Sequence, residues 1–234
     1  MMRRSTSPSS VPPRHDLRPF SALRPWCLMV LVKATGDRTT RTRAELFWLP
    51  LGAGGWFVRS NGRVYEWLSA HRHHQPASDL YHTGLLLRLD DTSYAVEMGP
   101  VWNVSDANRG VVCEGPVGFR WLGRFRAFRY EVRCWPGGHI PDVAEAVDSP
   151  VRLTEDPARV AALLAVLKEV PALTWGRDEL GTGEMWNSNS VVAWALARTG
   201  HDMDTIQAPA GGRAPGWRAG HVLAQRQASL GTQV

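Results

Sequence analysis

The segment Met185-Trp186-Asn187-Ser188-Asn189-Ser190 places a run of short polar side chains just ahead of Val191, Val192, Ala195 and Leu196. Those four fall at helical spacing, so the polar run marks a helix start. Asn and Ser are the preferred N-cap residues, and one of them must cap. A single cap needs only one residue, and here there are four. A hydroxyl at this place also gains from the free backbone N–H groups and the positive end of the helix dipole, the setting for a nucleophile and its oxyanion. A serine of this run is therefore a candidate nucleophile. Trp186, Asn187 and Asn189 are candidate substrate-binding residues around it.

Two further groups complete an acyl-transfer constellation. His82 opens the apolar run Tyr81-His82-Thr83-Gly84-Leu85, with Gly84 removing a side chain from its own face. Taken alone, His82 is equally a core-edge histidine with a backbone partner. Glu97 lies in Tyr94-Ala95-Val96-Glu97-Met98, where Tyr94, Val96 and Met98 alternate to one face. A hairpin turning at Asp90-Asp91 brings Glu97 within reach of His82, where a carboxylate would orient the imidazole and raise its basicity. The plainer reading of Glu97 is an exposed strand glutamate. Tyr81, beside His82, joins the candidate substrate-binding set.

The order of these pieces resembles the circularly permuted papain-like hydrolases, the NlpC/P60-like proteins that include YiiX-like and lecithin-retinol acyltransferase-like members. The resemblance rests on His82-Thr83-Gly84-Leu85-Leu86-Leu87, then Val96-Glu97-Met98-Gly99-Pro100, then Asn187-Ser188-Asn189-Ser190-Val191-Val192, and covers residues 44–200. It implies a permuted papain-like fold and a hydrolase or acyltransferase acting on an amide or ester. Ser188 would be the nucleophile, His82 its base and Glu97 the orienting acid. The family's nucleophile is a cysteine, and this chain departs by placing Ser188 there. The resemblance also leaves room for a non-catalytic member that binds a ligand or partner in the same cleft.

Other residues compete for function. His71, His73 and His74 cluster beside Arg72, as a metal site or a solvated surface. Asp178 and Glu179 sit in a glycine-rich loop that either lines a cleft or wraps the core. Arg213, in the Pro/Gly stretch from Ala208 to Gly216, reaches the same opening or lies on a mobile tail. Eleven tryptophans are many for this length, and they serve either a pocket or the core. Leu51-Gly52-Ala53-Gly54-Gly55 has phosphate-loop glycines but neither the lysine nor a helix behind them.

The elements that must position these groups form a β-rich middle followed by helices. Strands are expected at 45–50, 56–59, 81–89, 94–98, 111–114 and 125–132, with an Asn61-Gly62 hairpin and a strand or short helix over 64–70. A short helical turn is expected at 142–147. A helix should open at Thr154-Glu155-Asp156-Pro157 and run to about Val170, and a second should span Ser188 to Arg198 with Gly200 just past it. The fold class is α+β, an antiparallel β-sheet core packed against helices. The expected organisation is a basic, disordered leader over 1–43 (or a start placed too early), one domain over 44–225, and a flexible tail over 226–234.

Composition narrows the function classes. Of 234 residues, 44% are apolar and 21% charged, which permits a packed core. Residues 1–43 carry nine Arg or Lys against Asp16 and Asp37, a net +7. The remainder holds 18 basic and 20 acidic residues, a net −2, so the folded part lacks a polyanion-seeking excess and no nucleic-acid partner is expected. No apolar run is long enough to span a membrane, although Trp26 to Val32 resembles a short signal-peptide core. Cys27, Cys113 and Cys134 suit neither a disulfide scaffold nor a zinc site, so the cytoplasm is the expected compartment. The expected partner is a small-molecule, peptide or lipid-like substrate, with no cofactor and no metal.

Overall fold

The protein is described here from a computed structural model that covers residues 42–51, 80–101, 109–140 and 143–231. Six strands, β1 (Arg43–Pro50), β2 (Tyr81–Leu89), β3 (Thr92–Pro100), β4 (Val111–Pro116), β5 (Arg129–Pro136) and β6 (Val147–Thr154), form one sheet in the order β4-β5-β3-β2-β1-β6. Every neighbouring pair is antiparallel. Among the described residues three helices follow: α1 (Pro157–Val166), α2 (Ser188–Arg198) and α3 (Trp217–Gly231). The α+β class and the antiparallel sheet are as the sequence implies. No helix among the described residues is long and apolar enough to cross a membrane.

The β2–β3 hairpin turns at Asp90, which takes φ 54°, a conformation that aspartate tolerates because its short side chain bonds locally. Its register pairs Leu85 with Val96, Leu86 with Ala95 and Leu87 with Tyr94. Alternation then divides the sheet. Leu85, Leu87, Val96 and Met98 join Trp48, Val132 and the residues of α1 and α2 in the main core. Leu49, Ala95 and Ile140 form a smaller cluster with Leu86 and Trp135 on the opposite face.

Several expected boundaries move. The strand expected at 125–132 is a single 3-10 turn, Arg126–Phe128, running into β5 at Arg129. The helical turn expected at 142–147 shrinks to Val143–Glu145, and β6 follows as an unforeseen edge strand, where Pro150 is tolerated because an edge has an unpaired side. The cap of α1 is Asp156 rather than Thr154. Asp156 accepts from the Ala158 N–H at 2.9 Å, while Thr154 accepts from the Asp156 N–H.

The largest correction is α3. It continues to Gly231, so the domain boundary at 225 falls inside a helix, and residues 226–231 of the expected flexible tail belong to that helix. Its buried stripe is Ala219, Gly220 and Ala224, which carry too little side chain to read as an apolar face. The smallness is the mechanism of packing. A Cβ on Gly220 would stand 2.0 Å from the Ser190 carbonyl oxygen, so only glycine lets α3 cross α2 at that distance. The expected strand at 56–59, the Asn61-Gly62 hairpin, the segment 64–70, the glycine turn at 52–55 and residues 1–41 of the leader lie outside the described residues, while Arg43, expected to close the leader, opens β1.

Candidate functional site

The polar run before α2 works as a clamp. Asn187 is the N-cap, its side chain accepting from the Ser190 N–H at 3.2 Å, and the Ser190 hydroxyl accepts from the Asn187 N–H at 3.0 Å. This reciprocal pair is a capping box, and it satisfies two otherwise orphaned donors. The remaining hydrogen-bonding capacity reaches outward. Ser190 donates to the Gly216 carbonyl at 2.8 Å, and Asn187 donates to the Pro215 carbonyl at 2.8 Å. Gly216 has φ 88°, and a Cβ there would meet the Asn187 side chain at 2.4 Å. The chain therefore needs glycine at this bend for both reasons.

Asn189 is buried and fully used. Its oxygen accepts from the Thr83 N–H at 2.8 Å and the Thr83 hydroxyl at 3.1 Å. Its amide nitrogen donates to the Tyr81 carbonyl at 3.0 Å and to the Pro215 carbonyl at 2.8 Å. One side chain thus ties α2 to β2 and to the stretch that leads into α3. Sequence reasoning assigned Asn187 and Asn189 to substrate; their donors and acceptors are spent inside the protein. Trp186 is 1% exposed and belongs to the core. Tyr81 is buried too, and its backbone N–H donates to the Arg213 carbonyl.

Ser188 is the first helical residue, half-buried, and its hydroxyl makes no hydrogen bond with any described residue. His82 does not meet it. Because Thr83 faces Asn189, strand alternation sends His82 to the other side of the sheet with Gly84 and Leu86. Two cross-strand neighbours agree: Trp48, opposite Thr83, is in the helix-side core, while Leu49, opposite His82, is in the far cluster. A Cβ on Gly84 would touch Ile140 of that far cluster. The expected relay from Ser188 to His82 therefore has the sheet between its members.

Glu97 shares the far face with His82, as the alternation implied. The pairing of β2 with β3 stops at Leu85 and Val96, so the two side chains are not an established cross-strand pair. The cross-strand neighbour of Glu97 is Arg133 in β5. Burial raises the Glu97 carboxyl from its ordinary 4.5 to about 7, against the opposing pull of Arg133, and Oε1 of Glu97 has no hydrogen-bond partner among the described residues. Arg133 donates to Glu131 at 3.0 Å and to the Pro100 carbonyl at 3.1 Å. Burial alone would raise Glu131, but hydrogen bonds and charge from Arg109 and Arg133 hold it below the usual carboxylate range. Glu97 is thus a half-buried carboxyl beside the buried Glu131–Arg133 pair rather than an exposed strand residue.

An open concavity among the described residues lies on the helix side, beside the clamp. A cleft of about 420 Å³ is walled by Trp48, Met203, Ile206 and Trp217, with Arg213 and Arg218 among its polar lining. The rings of Trp48 and Trp217 stand 5.3 Å apart at 50°. Glu184, another lining residue, accepts from the backbone N–H of Arg218 at the start of α3, where the helix dipole favours a carboxylate. Pro215, held by both asparagines of the clamp, forms part of the wall. None of the described lining residues is Ser, Thr or Cys.

Of the described residues singled out from sequence, only Arg213 and the general tryptophan signal reach this cleft. Trp217, Arg218 and His221 were missed because α3 itself was not recognised. Asp178 closes its own loop, accepting from the backbone N–H groups of Thr182 at 2.9 Å and Gly183 at 2.8 Å. Glu179 accepts from the Thr174 N–H and hydroxyl. Both wrap the core. His71, His73 and His74 lie outside the described residues, and among the described residues no group of three His, Cys, Asp or Glu side chains is placed to hold a metal. No protein-family model matches the chain, and neither the curated proteins nor the solved structures give a match.

Proposed function

We propose that this chain is a non-catalytic binding protein that takes a small amphipathic molecule in the cleft between Trp48, Trp217 and the 203–218 stretch. The apolar part of the ligand packs against Trp48, Met203, Ile206 and Trp217, and its polar groups meet Arg213 and Arg218. The volume falls within the ordinary range for small-ligand sites. One observation carries the reading: the polar helix start is consumed in holding Pro215, a residue of the cleft wall, and its neighbour Gly216, while His82 points to the far face. A permuted papain-like arrangement is part of this proposal, supported by the chain order of histidine strand, acid strand and polar-capped helix. A cytoplasmic location is also part of it. Cys113 and Cys134 are both free, and burial pushes each thiol up to about 11, so both are protonated and unreactive at neutral pH.

The test uses the fluorescent probe 8-anilinonaphthalene-1-sulfonate, whose apolar rings and single anionic group match the walls and arginines. Saturable binding to the wild type, weakened about tenfold in Trp217→Ala through loss of one aromatic wall, is the expected result. Equal binding by Trp217→Ala would remove the cleft as the site. Covalent labelling of the wild type, but not of Ser188→Ala, by a fluorophosphonate would restore the hydrolase reading in its place.

A further inference from the structure

Between β4 and β5 the chain reads Phe119-Arg120-Trp121-Leu122-Gly123-Arg124-Phe125-Arg126-Ala127-Phe128-Arg129, with four aromatic residues, four arginines and no acid. It folds as two successive 3-10 turns, Arg120–Arg124 and Arg126–Phe128. These aromatics do not join the core. Phe119 is 44% exposed, Trp121 60%, Phe125 48% and Phe128 42%. Single exposed apolar residues are ordinary on a protein surface, but four large ones within ten residues are not.

The display is built rather than loose. The Val117 N–H donates to the Phe128 carbonyl at 2.9 Å, closing the base of the spur, and the Gly118 N–H donates to the Trp175 carbonyl at 2.9 Å. Within it, the Phe125 N–H donates to Leu122 and the Phe128 N–H to Phe125, each at 2.9 Å. Gly123 lies so close to Pro116 that a Cβ would approach its side chain to 2.9 Å. The spur is therefore fixed to the end of an edge strand.

Its charges are arranged on the rings. The Arg124 guanidinium stands 5.5 Å from the Trp121 ring centre and 4.8 Å from that of Phe125, and Arg177 stands 4.9 Å from Phe119. Arg120 and Arg129 have the carboxylate partners Glu179 and Glu114. Arg124 and Arg126 have none among the described residues.

We infer that this spur docks the protein onto an anionic lipid surface. Tryptophan and phenylalanine beside arginine fit the membrane interface, where the rings enter the headgroup boundary and guanidinium groups meet lipid phosphates. A second copy of the chain is the poorer occupant, because two such faces would oppose arginine to arginine. Single-stranded nucleic acid is poorer too, since base stacking needs open ring faces and guanidinium groups already cover a face of Phe119, Trp121 and Phe125. The inference is independent of the cleft ligand and concerns a different surface.

The experiment is co-sedimentation of the full chain with phosphatidylcholine vesicles and with equimolar phosphatidylcholine–phosphatidylserine vesicles. The wild type should bind the anionic vesicles roughly tenfold or more tightly than the neutral ones, and less so as salt rises. Trp121→Ala/Phe125→Ala should weaken that binding by about tenfold, and Arg124→Glu/Arg126→Glu should abolish the preference for phosphatidylserine. Trp121→Ala alone, at the most exposed ring, gives the same direction if either double variant loses its cooperative thermal transition. Equal binding to both vesicle types would overturn the inference. So would wild-type binding in the patch variants, which would move the contact to another basic segment such as the leader. Tighter capture of a polyuridine oligonucleotide than of either vesicle, or a dimer in sedimentation velocity that Trp121→Ala dissociates, would also overturn it.

Discussion

Replacing Asn189 by alanine should lower unfolding stability by about 3 kcal/mol. The side chain answers four groups: the Thr83 N–H, the Thr83 hydroxyl, and the carbonyls of Tyr81 and Pro215. Asn189 is 2% exposed and Thr83 4%, so water does not readily replace the lost partners. Each buried donor or acceptor left unanswered costs about 1–3 kcal/mol, and relaxation recovers part of the sum. A helix cap alone, by comparison, costs about 1 kcal/mol when removed. Urea denaturation of Asn189→Ala beside Ser188→Ala checks this directly. The Ser188 hydroxyl bonds no described residue, so its variant should stay within about 0.5 kcal/mol of wild type. Equal losses in the two variants would mean that the clamp is misassigned.

Between pH 4.5 and 7 the protein should lose stability through Glu97, by on the order of 2 kcal/mol. In the unfolded chain the carboxyl ionises near 4.5; in the fold, burial keeps it protonated to about 7. The native state therefore holds the extra proton across that window, and raising the pH favours the unfolded chain until both states are ionised. His201 works the other way in the same range, since burial and the nearby Arg159 charge lower its imidazole pKa despite a backbone hydrogen bond. The quantity to read is thus the difference between wild type and Glu97→Gln, which carries no titratable group at this site. The variant should equal or trail the wild type near pH 5 and exceed it above pH 7. A difference that does not change with pH would show that Glu97 is ionised in the fold.

The sequence was informative wherever a local pattern decides the outcome. Asp90-Asp91 and the alternation of Tyr94, Val96 and Met98 specify the β2–β3 hairpin, and they correctly put Glu97 and His82 on one face. What alternation does not carry is which face the helices cover. Leu85-Leu86-Leu87 is apolar on both sides, because both sides of the sheet are covered, so nothing local told His82 from Thr83 as the residue nearest α2. That choice is made by a contact between residues over a hundred positions apart, Asn189 with Thr83. The helix start was legible from Asn187 to Ser190, yet its use was not, since the Pro215 and Gly216 carbonyls it holds come from a distant loop. In α3 the packing stripe is Ala219, Gly220 and Ala224, where the absence of side chain is what fits, and an apolar-pattern reading looks for the opposite.

The central claim is that the Asn187–Ser190 segment is a clamp for the cleft wall and that Ser188 has no partner in His82. Ser188→Cys turns the position into a reporter, because the rate of iodoacetamide labelling against pH gives its thiol pKa. The same titration in Ser188→Cys/His82→Ala isolates the histidine. With the sheet between the two residues, the thiol pKa should be the same in both, set by the helix end alone. A pKa that rises clearly when His82 is removed would mean that the imidazole supports the thiolate, and it would contradict the account.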